Sequence, residues 1–311
     1  MTPRAPARRI LSSVGLLMCA AVLCGCWNGR VLFAAEEPYW AAVGGDPAVR
    51  WPLARASLAH GYIPRFLNVR VQQDGEATLR RELQIRRYNA LVLGPLLALE
   101  QQGSPLRAAR VLVTGDRTVS SQGTVVQLVF DRIPSFRTAG YAAGLSISDE
   151  AGGIATSVLA SRIGILVSAH PPGTREEIAA FSDGVAQALD GGQPSMRSLS
   201  DQADRNAVRS AVEQMRRDGV EVFLLFLGVS DSWALDAMRN AGGCAVVADW
   251  SASGAFPRQV FLSVESDIVG GVARFLSRRS FGSVTIDGPV RLVAGKARPI
   301  PPRVAAQVAV H

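Results

Sequence analysis

Strand-length apolar runs alternate with helical stripes along most of this 311-residue chain, and that alternation restricts the fold more than any other feature. In the first half the runs fall at 31–35, 66–71, 90–93, 110–113 and 125–130; in the second, at 163–167, 196–199, 222–227, 245–248 and 259–263. They are rich in Val and Leu and apolar on both faces, as parallel strands are when helices cover both sides of the sheet. Between them, Thr174-Arg-Glu-Glu177 reads as a capping box, and its helix continues its apolar face through Ile178, Phe181, Val185 and Leu189. Val208, Ala211, Val212 and Met215 form a second stripe, closed by Gly219, and Leu79 and Leu83 begin a third. In segment 46–61, Pro52 must sit in a first turn or break the helix. Thirty glycines and an aromatic content of only 6% suit close helix–sheet packing. Regular β–α alternation requires right-handed crossovers. The expected architecture is therefore α/β, with two doubly wound parallel-sheet lobes joined by a hinge and units near 31–146 and 163–277. Segment 135–145, between them, reads as a helix with small residues on one face. A late strand is expected near 289–293, with regular structure ending at 298–302 and fraying beyond.

The N-terminus reads as an address. Arg4, Arg8 and Arg9 precede an apolar stretch over 10–23 that is too short to span a bilayer comfortably. Leu23-Cys24-Gly25-Cys26 follows and resembles a bacterial lipobox, which implies cleavage before Cys26 and diacylation of its thiol. The alternative is an ordinary signal peptide cut near Ala34-Ala35, with Cys24 and Cys26 incidental. The expected division is a signal peptide over 1–25, an N-terminal lobe over 26–146 carrying a lipidated Cys26, a C-terminal lobe with the hinge return over 147–293, and a tail over 294–311. Cleavage leaves Cys26 and Cys244 alone, so with Cys26 acylated no intramolecular disulfide can form. Cys244, in an apolar run, reads as an inert buried thiol.

Charge and motifs exclude several classes. The formal charge of +7 falls to +4 once the leader's three arginines are gone, and the remaining arginines are scattered without a recognition motif, so no nucleic-acid partner is expected. No apolar run of membrane-spanning length lies beyond the leader. There is no G-x-S-x-G elbow, no G-x-G-x-x-G after a strand and no P-loop. The three histidines, His60, His170 and His311, make no zinc spacing, and Ser168 with His170 reads as a poor dyad. No catalytic residue, cofactor or metal site is expected, and the chain is read as a non-enzyme.

A lipobox followed by two α/β lobes resembles the type I periplasmic binding proteins. The local match is Ser135-Phe136-Arg137-Thr138-Ala139-Gly140-Tyr141-Ala142-Ala143-Gly144, which is similar to a stretch of the basic membrane protein family of nucleoside-binding lipoproteins. Phe181-Ser-Asp-Gly184 resembles the helix after the first strand of that family's second lobe. Segments 220–228, 234–241 and 245–249 resemble its run of strand, helix and strand ending in aspartate. Two positions depart: Glu36-Glu37-Pro38-Tyr39-Trp40 replaces a phenylalanine-asparagine motif, and Gly228-Val-Ser-Asp231 replaces a glycine-rich turn.

In open α/β sheets ligands bind beyond the carboxyl ends of the strands, at topological switch points. The post-strand residues are Glu36, Tyr39, Trp40, Asp131, Ser168, His170, Ser230, Asp231, Asp249 and Trp250. Tyr39 and Trp40 could stack on a sugar or base ring or simply fill the core. The resemblance implies that Asp249 accepts hydrogen bonds from ribose hydroxyls. Asp131 either meets the ligand or caps the following helix. Trp250 walls the site or lies buried. Ser168 and Ser230 complete the expected ligand set. The function implied is a monomeric, lipid-anchored envelope protein. It would capture a small polar ligand, nucleoside- or sugar-like, in an interlobe cleft and present it to an ABC permease. The alternative is an envelope lipoprotein that uses the fold as a sensor or interaction module without transport.

Overall fold

A computed structural model describes residues 28–36, 49–69, 75–94, 106, 108–114, 121, 123–149, 155–168, 175–200, 203–248, 256–278 and 285–309. The chain forms two units. The first comprises residues 1–37, 50–128 and 272–286; the second comprises 38–49, 129–271 and 287–311.

The first unit is a sheet wound from β1 (Gly29–Glu36), α1 (Arg50–Ala59), β2 (Tyr62–Val69), α2 (Gly75–Ile85), β3 (Tyr88–Leu93), β4 (Ala108–Thr114) and β5 (Thr124–Val129). Its strands lie in the order β2-β1-β3-β4-β5, and every pairing from β2 to β5 is parallel. Val31 to Ala35 are buried in β1, as are Leu91 in β3 and Val111 and Leu112 in β4, which accounts for the unbroken apolar runs. The expected start of β2 at residue 66 is overturned. The strand begins at Tyr62 and runs through Pro64, which is tolerated because β2 is an edge strand. Pro52 sits in the first turn of α1, the position where its missing N–H costs nothing.

The second unit begins with α3 (Ile133–Ser148), α4 (Thr156–Ala160), β6 (Ile163–Ser168), α5 (Arg175–Ala188), β7 (Ser195–Leu199) and α6 (Arg205–Arg217). It continues through β8 (Val222–Phe226), a 3₁₀ turn at Gly228–Ser230, α7 (Asp231–Ala241), β9 (Cys244–Ala248) and β10 (Val260–Ser266); α8 (Ile268–Ser277) follows, with its residues from 272 on in the first unit. A short β11 (Thr285–Asp287) returns beside β5 of the first sheet. Finally β12 (Val290–Ala294) and β13 (Val308–Ala309) complete a second sheet ordered β7-β6-β8-β9-β10-β12-β13. Only the β10–β12 pair is antiparallel.

Two expectations are altered. Residue 146, the expected end of the first lobe, lies inside α3, and α3 belongs to the second unit because its small-residue face packs on α5. The tail beyond 294 does not fray as a whole. Val304 and Val308 are buried, and β13 pairs in parallel with β12. Arg298 Nη2 donates to Glu221 Oε2 at 2.6 Å, and Arg162 pairs with the same carboxylate. Burial pushes the Glu221 carboxyl upward, but those two guanidiniums outweigh it and hold it below the ordinary value.

Helices α3 and α5 pack backbone to backbone. A Cβ on Gly140 would stand 2.0 Å from the Phe181 carbonyl oxygen, and one on Gly184 would stand 2.0 Å from that of Arg137. Both stretches that carried the family resemblance are thus two sides of a single backbone-to-backbone crossing. Gly140→Ala should lower stability by about 1–3 kcal/mol or more. Gly191→Ala, at φ +90 with open space around it, should cost about 1 kcal/mol. Thermal denaturation of the two variants checks the difference, and equal losses would contradict the crossing.

Candidate functional site

In each unit the strand order reverses direction at its first strand, so the switch points lie between β1 and β3 and between β6 and β8, at the carboxyl edges. In the first sheet this edge is closed by Gly94 N–H donating to Ala34 O at 2.9 Å and by the buried Thr114 hydroxyl donating to Leu93 O at 3.1 Å. Residues at the start of α1 join it, because a crossover helix begins where the preceding strand ends. Arg50 Nη2 donates to Asn68 Oδ1 near the end of β2, and the Arg50 guanidinium lies 5.5 Å from the Phe66 ring centroid. Trp51, the next residue, is 63% exposed. An indole left in solvent at a binding edge is a stacking surface. Sequence reading passed over it because Trp51 stood beside Pro52 in a doubtful helix; its place in the first turn was the available signal.

In the second sheet Val167 of β6 is level with Phe226 of β8, so Ser168 stands beside Leu227 and the turn Gly228–Ser230. Two of the expected ligand residues, half-buried Ser168 and Ser230, thus follow neighbouring strands at this edge. Ser230 N–H is taken by Leu227 O at 3.3 Å. Asp231 opens α7 and is buried; its Oδ1 accepts Leu227 N–H at 2.8 Å. Removal from water drives its carboxyl up to about 7, and the Leu227 N–H opposes this only in part.

Asp131 is exposed, and its Oδ1 accepts Ile133 N–H at 3.2 Å, so it ties down the turn entering α3. Beside the start of α5 the Arg132 Nε donates to Glu177 Oε1 at 2.7 Å, with both side chains largely buried. The Arg132 guanidinium also lies 5.7 Å from the Phe136 ring centroid, and Phe136 packs on Phe226 at 5.3 Å between centroids. Glu177, read as the far end of a capping box, thus serves an ion pair at the carboxyl edge, a long-range pairing that no local spacing signals. Tyr39, Trp40, His170, Thr174, Asp249, Trp250 and the lipidation candidate Cys26 lie outside the described residues.

The geometry defines a class. Two mostly parallel α/β sheets, each wound 2-1-3-4-5 in its own strand numbering, constitute the type I periplasmic-binding-protein fold. No family model matches the chain, and no curated protein matches it. Among solved structures it is similar to an ABC transporter solute-binding protein of Aeropyrum pernix K1, with TM-score 0.60, 16% identity, and coverage of 85% of this chain and 76% of that one. The arabinose-binding protein AraP of Geobacillus stearothermophilus gives TM-score 0.61 at 10% identity, covering 86% and 97%. A transcriptional activator of the comK gene from Bacillus halodurans gives 0.63 at 14% identity, covering 90% and 94%. These likenesses establish the fold.

The buried Asp231 makes stability pH-dependent. Its folded value of about 7 exceeds the ordinary 3.8. Between the two, the folded chain therefore holds a proton that the unfolded chain has released, and stability falls as pH rises through that window. Asp231→Asn keeps an acceptor for Leu227 and removes the cost of ionisation. Its melting temperature should match wild type near pH 4 and exceed it at pH 7.5, by about 2–4 °C for each kcal/mol removed.

Proposed function

We propose that this chain is a lipid-anchored, extracytoplasmic solute-binding protein. It captures a small polar ligand, nucleoside- or sugar-like, for an ABC permease. The observation that carries the reading is the repeated switch-point architecture, with hydroxyl groups at Ser168 and Ser230 on one unit and the exposed Trp51 indole on the other. Hydroxyls that donate and accept, together with an aromatic face, suit a polyhydroxylated ring. Asp249 follows β9 at the same edge in sequence and is proposed to accept from ligand hydroxyls, with Trp250, Tyr39 and Trp40 supplying further ring contacts. Asp131 is proposed at the rim. The mechanism is a shift of population: a ligand that binds one conformation of the two-unit chain better than others raises its share, and the permease reads that conformation.

The anchor draws support from β1. Ala34 and Ala35 are buried within that strand, which pairs with both β2 and β3. A cut near Ala34-Ala35 would remove most of a strand paired on both sides, whereas a cut at Cys26 leaves it whole, which supports the proposed cleavage before Cys26.

Mass spectrometry of small molecules released from the purified protein should recover an unaltered nucleoside or sugar, and a chemically converted product would overturn the reading. Calorimetry with the recovered compound should show affinity at least about tenfold weaker for Trp51→Ala and for Asp249→Ala, with melting curves little changed. A loss of about tenfold is the scale of one well-placed contact. Unchanged affinity removes the substituted residue from the site.

A further inference from the structure

The net charge hides a division. From Cys26 onward the first unit carries 15 arginines against 7 acidic residues, or +8; the second carries 15 basic against 19 acidic residues, or −4. Four of the first unit's exposed arginines stand at one edge. Arg30 is the second residue of β1, Arg86 and Arg87 immediately precede β3, and Arg278 follows α8; all four are exposed. Arg30 N–H donates to Asn89 Oδ1 at 3.1 Å, so β1 and β3 begin level with each other. Arg110 of β4 donates to the Phe275 carbonyl oxygen and, at 3.2 Å, to the Tyr62 hydroxyl, which brings the end of α8 to the same edge. This is the amino edge of the first sheet, opposite to the candidate site. It opens into a cavity of about 780 Å³ lined in part by Asn28, His60, Asn89 and Arg110.

Local groups absorb only part of this charge. Helices α1, α2 and α8 end here, and their dipoles offer about half a negative charge each, roughly −1.5 against four exposed arginines. Among the described residues of this unit the carboxylates are Glu36, Glu76 and Glu82. Glu36 and Glu76 lie at the opposite edge, at the end of β1 and the start of α2. Glu82 is shared among Arg65 at 2.9 Å, Arg86 at 3.8 Å and the Tyr88 hydroxyl, so one carboxylate already serves two arginines. Two large aliphatic side chains are also left in solvent along this edge: Ile63, level with Arg30 and 46% exposed, and Ile85 at the end of α2, 69% exposed. Asn28, two residues after Cys26 in the sequence, lines the cavity here.

We infer that the amino edge of the first unit is a membrane-facing surface that lies against anionic phospholipid headgroups. Arginines meet the phosphates, and Ile63 and Ile85 enter the interface between them. The inference rests on the lipid-anchor reading for its occupant. The acyl chains hold the protein at the bilayer, and the basic edge fixes which way the first unit faces. Each arginine near such a surface strengthens association about fivefold, and the effect fades within a Debye length, about 10 Å at 0.1 M salt.

The chain from residue 26, which contains every described element, is prepared with Cys26→Ser so that acylation plays no part. It should cosediment with vesicles containing phosphatidylglycerol, bind phosphatidylcholine vesicles weakly, and release at high salt. Arg30→Gln, Arg86→Gln and Arg87→Gln combined should weaken binding by about a hundredfold. The same number of changes at exposed Arg197, Arg217 and Arg258 of the second unit should leave it unchanged, and matched circular dichroism confirms folding. Equal binding to both vesicle types, or indifference to the first triple substitution, overturns the inference. Competition by double-stranded DNA as effective as that by vesicles also overturns it, since the edge would then bind any polyanion. The anchor is tested separately by the mass of the N-terminal peptide from bacterially produced full chain. An unmodified Cys26 there ends the anchor reading, while the vesicle measurement still decides the face.

Discussion

Everything in the second unit depends on two helices approaching until their backbones touch. Gly140 of α3 and Gly184 of α5 each face a carbonyl oxygen of the other helix across a gap that a methyl group would fill. This crossing decides where α3 belongs. The helix follows directly on β5 of the first sheet in sequence, yet it packs with the second, and the core through Phe136, Ala139, Ala142, Ala143, Phe181 and Val185 forms around it. Close backbone approach gains dispersion over many atom pairs at once, and only glycine leaves the space for it.

The crossing also positions chemistry. It sets the start of α3 beside the start of α5, where Arg132 and Glu177 form their largely buried pair and Phe136 meets Phe226 at the end of β8. Withdrawing two charges from water is costly, and their mutual attraction offsets that only when geometry is good. The pair therefore contributes registry at the carboxyl edge. Asp231 closes the turn after β8 through Leu227, on the strand that neighbours β6.

The two units use the same winding to different electrostatic ends. The first is strongly basic, with Arg30, Arg86, Arg87 and Arg278 exposed at the amino edge; the second is acidic overall. Because a doubly wound sheet presents its ligand groups at the carboxyl edge, the opposite edge is available for a second role without disturbing the first.

The sequence by itself determined the alternation of strands and helices, and with it the two parallel sheets, because apolar runs buried on both faces leave few other folds. The strand positions at 31–35, 90–93, 110–113 and 163–167 were legible for this reason, as was the stripe of α6. The places of Ser168 at the end of β6 and Ser230 after β8 were legible from the apolar runs they follow. What only the tertiary structure decided were the long-range matters. The extension of β2 through Pro64 follows from its edge position, and the docking of 304–309 from a neighbouring strand. The pairing of Glu177 with Arg132, the exposure of Trp51 and the gathering of dispersed arginines at one edge likewise depend on residues far apart in the chain. Local patterns record which face of an element is apolar; they do not record which distant element meets it, since that is set by packing among segments whose spacing along the chain carries no trace of it.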